Sequence, residues 1–302
     1  MRHFISLLDF STEELTGILD RADYMAKAWQ ENRMPANLVH EQVGLWFYGQ
    51  GFRNRVAFDL GLQAMGAKVS YIPGELGVHE PIEDIGQYLS NWFTLLVVRA
   101  KRQEDLLYLA ETSSIPVINA RTNISHPCEI MGDLQFLRRY RGTLEELKLL
   151  FVGEVTNLCM SWFEAAVKFP ISVIQVAPEG YEADPALLEE LNQKAVGRIT
   201  TTNSLEEGIE NTDVIYTDCW PKGDNTEEEE RIRKEFLPYQ ITKKHLGYLS
   251  KQGVFLPCPP VTRGQEVSCD AMESELCKNH QAKNYLLHSQ NAIAEMVVQI
   301  NQ

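Results

Sequence analysis

The stretch "VGLWFYGQGFRNRVAF", residues 43–58, carries the reading on which the fold turns. An apolar run, Val43 to Tyr48, reads as a buried strand. A glycine turn follows, and Arg55 to Met65 reads as a helix closed by Gly66. A strand entering a helix through glycines is the opening of a parallel α/β unit, because the crossover back to a parallel neighbour needs a helix. Such a turn also places backbone N–H groups where an anion can be bound. Arg53 and Arg55 stand beside it, together with Phe52, an aromatic where a phosphate site would want a small hydroxyl. The arginines read either as part of an anion site or as ordinary surface groups.

The alternation continues outward. "AKVSYIP" and "TLLVVRA" are strands and "IEDIGQYLSNW" is a helix between them; "EDLLYLAETS", "IPVINAR" and "CEIMGDLQFLRRYRG" extend the series. Upstream, Ser11 or Thr12 caps an amphipathic helix with an acidic first turn. The pattern then restarts with the strand "KLLFVGEV" and a helix near Ser161 to Phe169. "ISVIQVAP", "DPALLEELNQKA", "RITTT", "SLEEGIENT", "DVIYTDCW" and "GVFLPCPP" follow, and a helix from about Gln281 to Ile300 closes the chain. The acidic run Glu227–Glu230 reads as the solvated start of a helix. The expected fold is therefore α/β, two tandem Rossmann-like domains with parallel sheets linked by long helices. The first spans 1–142, with a C-terminal helix at 281–302 packing back on it, and the second spans 143–280.

A chain of 302 residues has room for two such domains. Its net charge of −14 argues against a nucleic-acid binder, since phosphate backbones demand basic surface. It leaves room for a local cationic pocket. With no uninterrupted apolar stretch of membrane-spanning length, no membrane partner is expected. The start of the chain reads as lacking a secretion signal. Six scattered cysteines, at 128, 159, 219, 258, 269 and 277, form no CxxC pair and suggest a reducing, cytoplasmic setting with no metal site.

The unusual clusters follow strands, where open parallel sheets bind their ligands. They are Gly49–Arg55, Gly74–Pro81, Arg99, Asn123–Glu129, Gly153–Ser161, Asp218–Gly223 and Pro257–Gly264. One crevice between the two domains is expected to collect them. Arg99 ends a buried strand and needs an anionic ligand or an acidic partner such as Glu80 or Glu129. His126 precedes a proline that bars its own helical conformation. It reads as a hydrogen-bonding group for a developing oxyanion or as a structural one. Asp218 reads as an ammonium site or a backbone-bonded turn residue, and Cys258 as a nucleophile, though no His neighbours it in sequence, or as a buried thiol in a stiff structural proline turn.

In this order the clusters resemble the aspartate/ornithine carbamoyltransferase family, in particular its ornithine-type branch, nearly end to end. Gly51-Phe52-Arg53-Asn54-Arg55 stands where that family has Ser-Thr-Arg-Thr-Arg, and His126 to Glu129 where it has His-Pro-Thr-Gln. "DVIYTDCWPKGDNTEEEERIRKEFLPYQIT" is similar to the segment that normally reads Asp-Val-Trp-x-Ser-Met-Gly, and "FLPCPPVTRGQEV" stands at His-Cys-Leu-Pro. The resemblance implies carbamoyl phosphate and an amino-acid or amine acceptor as partners, no metal or organic cofactor, and a homotrimer or multiple of trimers. It implies Arg53, Arg99 and His126 as catalytic residues. Gly51, Phe52, Arg53, Asn54, Arg99, His126 and Glu129 would bind carbamoyl phosphate. Asn157, Asp218, Lys222, Cys258 and Pro259 would line the acceptor site, and His79 and Glu80 would lie in a loop reaching a neighbouring subunit.

The departures cluster at the same positions. The loop hydroxyls at 51, 52 and 54 are gone, and Glu129 replaces a glutamine, where it is expected to pair with an arginine or stay protonated. Pro221-Lys222-Gly223 replaces Ser-Met-Gly, and no arginine stands in the last helix where the family has one; His288 or Gln290 is expected to substitute in part. The leading expectation is a divergent carbamoyltransferase acting on an ornithine-like or other amino-acid amine, with Lys222 meeting an acidic group of the acceptor. The alternative is a catalytically altered or inactive member serving as a ligand-binding or regulatory protein.

Overall fold

The structure, a computed structural model, describes residues 1–49 and 51–302. The chain divides into two compact units, Met1–Arg139 with Lys283–Gln302, and Tyr140–Ala282. In the first, the elements run α1 (Thr12–Gln30), β1 (Gln42–Phe47), α2 (Phe52–Ala64), β2 (Lys68–Ile72), α3 (Ile82–Ser90), β3 (Leu95–Arg99), α4 (Gln103–Thr112), β4 (Val117–Arg121) and α5 (Pro127–Arg141). The second carries β5 (Leu147–Val152), α6 (Asn157–Lys168), β6 (Ile171–Val176), α7 (Pro185–Lys194), β7 (Arg198–Thr202), α8 (Leu205–Ile209) and β8 (Thr212–Thr217). It continues through α9 (Thr226–Phe236), α10 (Lys243–Leu246), β9 (Leu249–Pro257) and α11 (Cys269–Met272), and α12 (Asn279–Gln299) ends the chain.

Both sheets are parallel, in the orders β2-β1-β3-β4 and β7-β6-β5-β8-β9. The fold class is thus the expected one. Each order reverses direction once, between β1 and β3 in the first sheet and between β5 and β8 in the second. At such a switch point the loops after the two strands diverge to opposite faces and leave a crevice at the C-terminal strand ends. In the first sheet this point is flanked by Gly51, before α2, and by Arg99; in the second by Gly153–Asn157 and Asp218.

Strands β1, β3 and β4 are buried at all but one end residue each, as continuous apolar runs require in a sheet covered on both faces. Leu96, Val98, Leu106, Leu109 and Val117 form one core, and Leu150, Val176, Ile215 and Phe255 belong to another in the second unit. Ser11 caps α1 in a reciprocal capping box with Glu14. Asn225 caps α9, so the run Glu227–Glu230 does lie in the first turns of a helix. Helix α12 lies against α5 and α2 through missing side chains. A Cβ on Gly132 would come within 3.1 Å of the Leu286 backbone, and one on Gly61 would overlap the Asn291 amide.

Two helix starts differ from the sequence reading. Helix α2 begins at Phe52 rather than Arg55, and α6 at Asn157 rather than near Ser161. In the first case Gly51 adopts φ +28°, ending the loop three residues early; in the second Thr156 accepts a hydrogen bond from the Cys159 N–H. Arg53, Asn54 and Arg55 are consequently first-turn helix residues, not loop residues.

Candidate active site

In the first unit, helix geometry sorts the residues of α2's first turn. Phe52 is more than half exposed, and the half-buried Arg53 stacks its guanidinium 4.7 Å from the Phe52 ring centroid. Arg55 stacks likewise on Tyr71 at 5.0 Å. Asn54 points the other way and is buried. Its amide is used at both ends: Nδ2 donates to Glu129 Oε2 at 2.9 Å, and Oδ1 accepts from Gln290 Nε2 at 2.7 Å.

Glu129 lies in the first turn of α5 and is the hub of this cluster. The sequence reading paired it with an arginine or left it protonated, and both are corrected. Its partner is Lys283 of α12, whose Nζ sits 2.7 Å from Glu129 Oε1 and also donates to Asp133 at 2.8 and 2.9 Å. Burial opposes the charge on Glu129, but Lys283 and the hydrogen bond from the Asn54 amide hold its carboxyl below the ordinary carboxylate range. The site therefore carries a carboxylate where the family has a neutral amide. Lys283 and Asp133 were missed by sequence reading because a lysine and an aspartate on helices are ordinarily solvated. The signal available was a lysine three residues before the apolar Leu286. Of the two residues expected to replace the absent arginine, Gln290 reaches Asn54, whereas His288 packs beside Trp29 and Tyr285.

His126 precedes Pro127, the first residue of α5, and is buried with Nε2 3.7 Å from Glu129 Oε2. Burial lowers its pKa to about 3; Glu129 opposes this, while Arg121, Arg99 and Lys283 reinforce it. The imidazole is neutral, able to donate one hydrogen bond and accept another without carrying charge. Arg99 closes β3, and the acidic partner expected for it is absent among the described residues: its Nε is buried without a hydrogen bond. Its guanidinium lies against the turn before α2, since a Cβ on Gly51 would meet Nη1 at 2.8 Å. His79 and Glu80 are exposed in the loop between β2 and α3.

The second unit holds its candidates at the ends of β5, β8 and β9. Asn157 is the buried first residue of α6. Asp218 follows β8, half-buried, and its Oδ1 accepts from the Cys219 N–H at 2.8 Å, as a turn aspartate does. Around it the carboxyls of Glu154 and Glu266 are raised, each by burial first and by the Asp218 charge in addition. Burial together with Asp218 and Glu266 pushes the Cys219 thiol up to about 11. The chain reaches Cys258 with its backbone N–H bonded to Thr217 at 2.8 Å, and a cis Pro259–Pro260 bond follows. Trp220 is anchored beside Phe236, while Lys222 is exposed.

Acid stability follows from the buried imidazoles. His288 is lowered to about 4 by burial and by Arg139, with Asp23 opposing. Both it and His126 stay neutral in the fold but take up protons in the unfolded chain below about 6.5. Between those limits the unfolded state binds more protons, so stability rises with pH and falls as pH drops from about 6.5 toward 4. Urea titrations over this range should show that loss, and His288→Phe should remove about one proton from the slope. An unchanged slope would contradict the assignment.

A two-unit α/β protein with cationic and imidazole side chains gathered at the strand ends of its first sheet is the class that fold and site define. Residues 2–139 match the family model for the aspartate/ornithine carbamoyltransferase carbamoyl-P binding domain, and residues 145–297 match that for its Asp/Orn binding domain. The chain belongs to the aspartate/ornithine carbamoyltransferase family. It is 32% identical to the ornithine carbamoyltransferase of Methanosphaera stadtmanae, over 97% of this chain and 98% of that protein. With the ornithine carbamoyltransferase of Acinetobacter baumannii it shares 30% identity over 100% and 98% of the two chains. Among solved structures, the ornithine carbamoyltransferase from Pyrococcus furiosus superposes with a TM-score of 0.91 at 30% identity, covering 97% of this chain and 96% of that one. Among the described residues no helix is long and apolar enough to cross a membrane.

Proposed function

We propose that the protein transfers the carbamoyl group of carbamoyl phosphate to the amine of an ornithine-like amino acid. The neutral amine attacks the carbonyl carbon, the bond to the phosphate oxygen breaks, and the amine loses a proton as phosphate leaves. The observation that carries the reading is Arg99, a guanidinium with a buried, unpartnered Nε lying against the glycine turn and near neutral His126. A cation and a neutral N–H donor set in place before reaction suit an oxyanion forming on the carbamoyl group. Arg53 would hold phosphate from the rim. Asn157, Asp218, Lys222, Cys258 and Pro259 would serve the acceptor, with exposed Lys222 facing an acidic group on it.

A second reading, binding without turnover, is favoured by one observation. Glu129 is anionic and, with Asn54, is engaged in internal hydrogen bonds at positions where the resemblance implies donor contacts. Phosphate release with carbamoyl phosphate and a panel of amino acids and diamines separates the two. Turnover with one acceptor, with a raised KM for it in Lys222→Ala, supports transfer. Tight binding of carbamoyl phosphate without release under every acceptor supports the second reading.

The surface of α2 also supports assembly with further copies. Phe52, Val56 and Leu60, at i, i+4 and i+8, form one exposed apolar stripe, and Tyr71 on edge strand β2 is exposed as well. Homotrimers buried on this stripe are the proposed state. Leu60→Asp is expected to shift sedimentation to monomer without loss of helical signal; an unaltered sedimentation coefficient would place the interface elsewhere.

A further inference from the structure

Arg99 has a cationic neighbour that sequence reading passed over. Arg121 is the last residue of β4, and the parallel pairing of β3 with β4 sets it directly beside Arg99. Among the described residues neither guanidinium makes a hydrogen bond or an ion pair. The contrast with other arginines of the unit is plain. Arg21 holds Glu295 through two bonds of 2.5 and 2.7 Å, Arg138 holds Asp20 and Asp23, and Arg102 holds Asp105. Two adjacent cations without a counter-charge repel. Burial, then Arg121, lowers Arg99 to about 10, against the pull of Glu129 and Tyr48. Glu129 relieves the pair only in part, because its oxygens are bonded to Lys283 and Asn54.

The Arg99 guanidinium fills the place that a side chain at residue 51 would take. Residue 51 has no side chain, and any Cβ there would strike the Arg99 guanidinium. The hydroxyls that the family uses in this turn are missing, and the Asn54 amide is spent on Glu129 and Gln290. Beyond Arg53, side-chain donors for a tetrahedral oxyanion must then come from another element.

We propose that Arg121 joins Arg99 in binding a dianionic phosphoryl group at the ends of β3 and β4, replacing the donors lost from residues 51–54. The identification of that group as part of carbamoyl phosphate rests on the transfer reading above; the oxyanion site itself does not. Planar guanidiniums present paired N–H donors that match phosphate oxygens, which is why the change to lysine is not neutral.

Calorimetric titration of the full chain with inorganic phosphate tests this. Arg121→Leu should weaken binding by roughly 10- to 100-fold, the loss of one charge-assisted contact. Arg121→Lys should fall between, keeping charge but losing the paired donors. Arg102→Leu, on the exposed start of α4, should bind as the wild type does. Wild-type protein that fails to bind millimolar phosphate, or an Arg121→Leu variant that binds it unchanged, overturns the proposal. Arg121-dependent phosphate binding without turnover of carbamoyl phosphate would leave the oxyanion site standing and remove the transfer reading. Turnover indifferent to Arg121→Leu would do the reverse. Should the leucine variant fail to fold, the lysine variant and Arg121→Gln carry the same comparison.

Discussion

Lys283→Met is expected to be the most destabilising single change at the site. The ammonium is held between two carboxylates, Glu129 and Asp133, whose side chains are 7% and 1% exposed. Removing it leaves two buried like charges with no cation, and breaking a buried pair from one side costs about 3–5 kcal/mol. Glu129→Gln should cost far less, because Lys283 keeps Asp133. The triple change Lys283→Met, Glu129→Gln, Asp133→Asn should recover most of the loss, since no buried charge remains. The pH dependence has a definite sign. Without Lys283 the two carboxyls have raised pKa values in the fold, the folded state binds the extra protons, and the deficit shrinks as pH falls. Chemical denaturation at pH 7 and pH 5 measures this. Equal deficits at the two values would show that the ion pair does not set the charge of Glu129.

Arg99→Leu should produce the largest loss of activity with the smallest change in fold. Under the carbamoyl-transfer reading its guanidinium stabilises charge that develops in the transition state, and deleting one such donor lowers kcat by about 100- to 1,000-fold. Stability should hold or improve, because the variant removes a half-buried cation that has no ion-pair partner among the described residues and is repelled by Arg121. Steady-state kinetics alongside thermal unfolding separates these effects. A variant retaining near-normal kcat would show that Arg99 faces no reacting group.

The sequence exposed the architecture where a local rule forces one answer. "VGLWFY", "TLLVVRA" and "KLLFVGEV" are apolar runs with no amphipathic period, and only a sheet covered on both faces accepts them. The cap at Ser11 or Thr12 and the acidic run Glu227–Glu230 mark helix starts for equally local reasons, and the structure sets the caps at Ser11 and Asn225. The starts of α2 and α6 were missed because they depend on a single backbone angle at Gly51 and a single cap at Thr156. At the candidate site, Arg99, His126 and Glu129 were visible because each follows a strand and is costly to bury alone.

What the sequence determined by itself is the α/β class and the strand-end positions of the unusual residues. Those properties follow from periodicity and residue type over a few neighbouring positions. Tertiary structure alone decided that Glu129 answers to Lys283, 154 positions later in the chain, that Asn54 is spent on Gln290, and that Arg121 stands beside Arg99. The reason is physical: the charge state of a buried group is set by whatever the fold brings within a few ångströms, and separation along the chain carries no information about that distance.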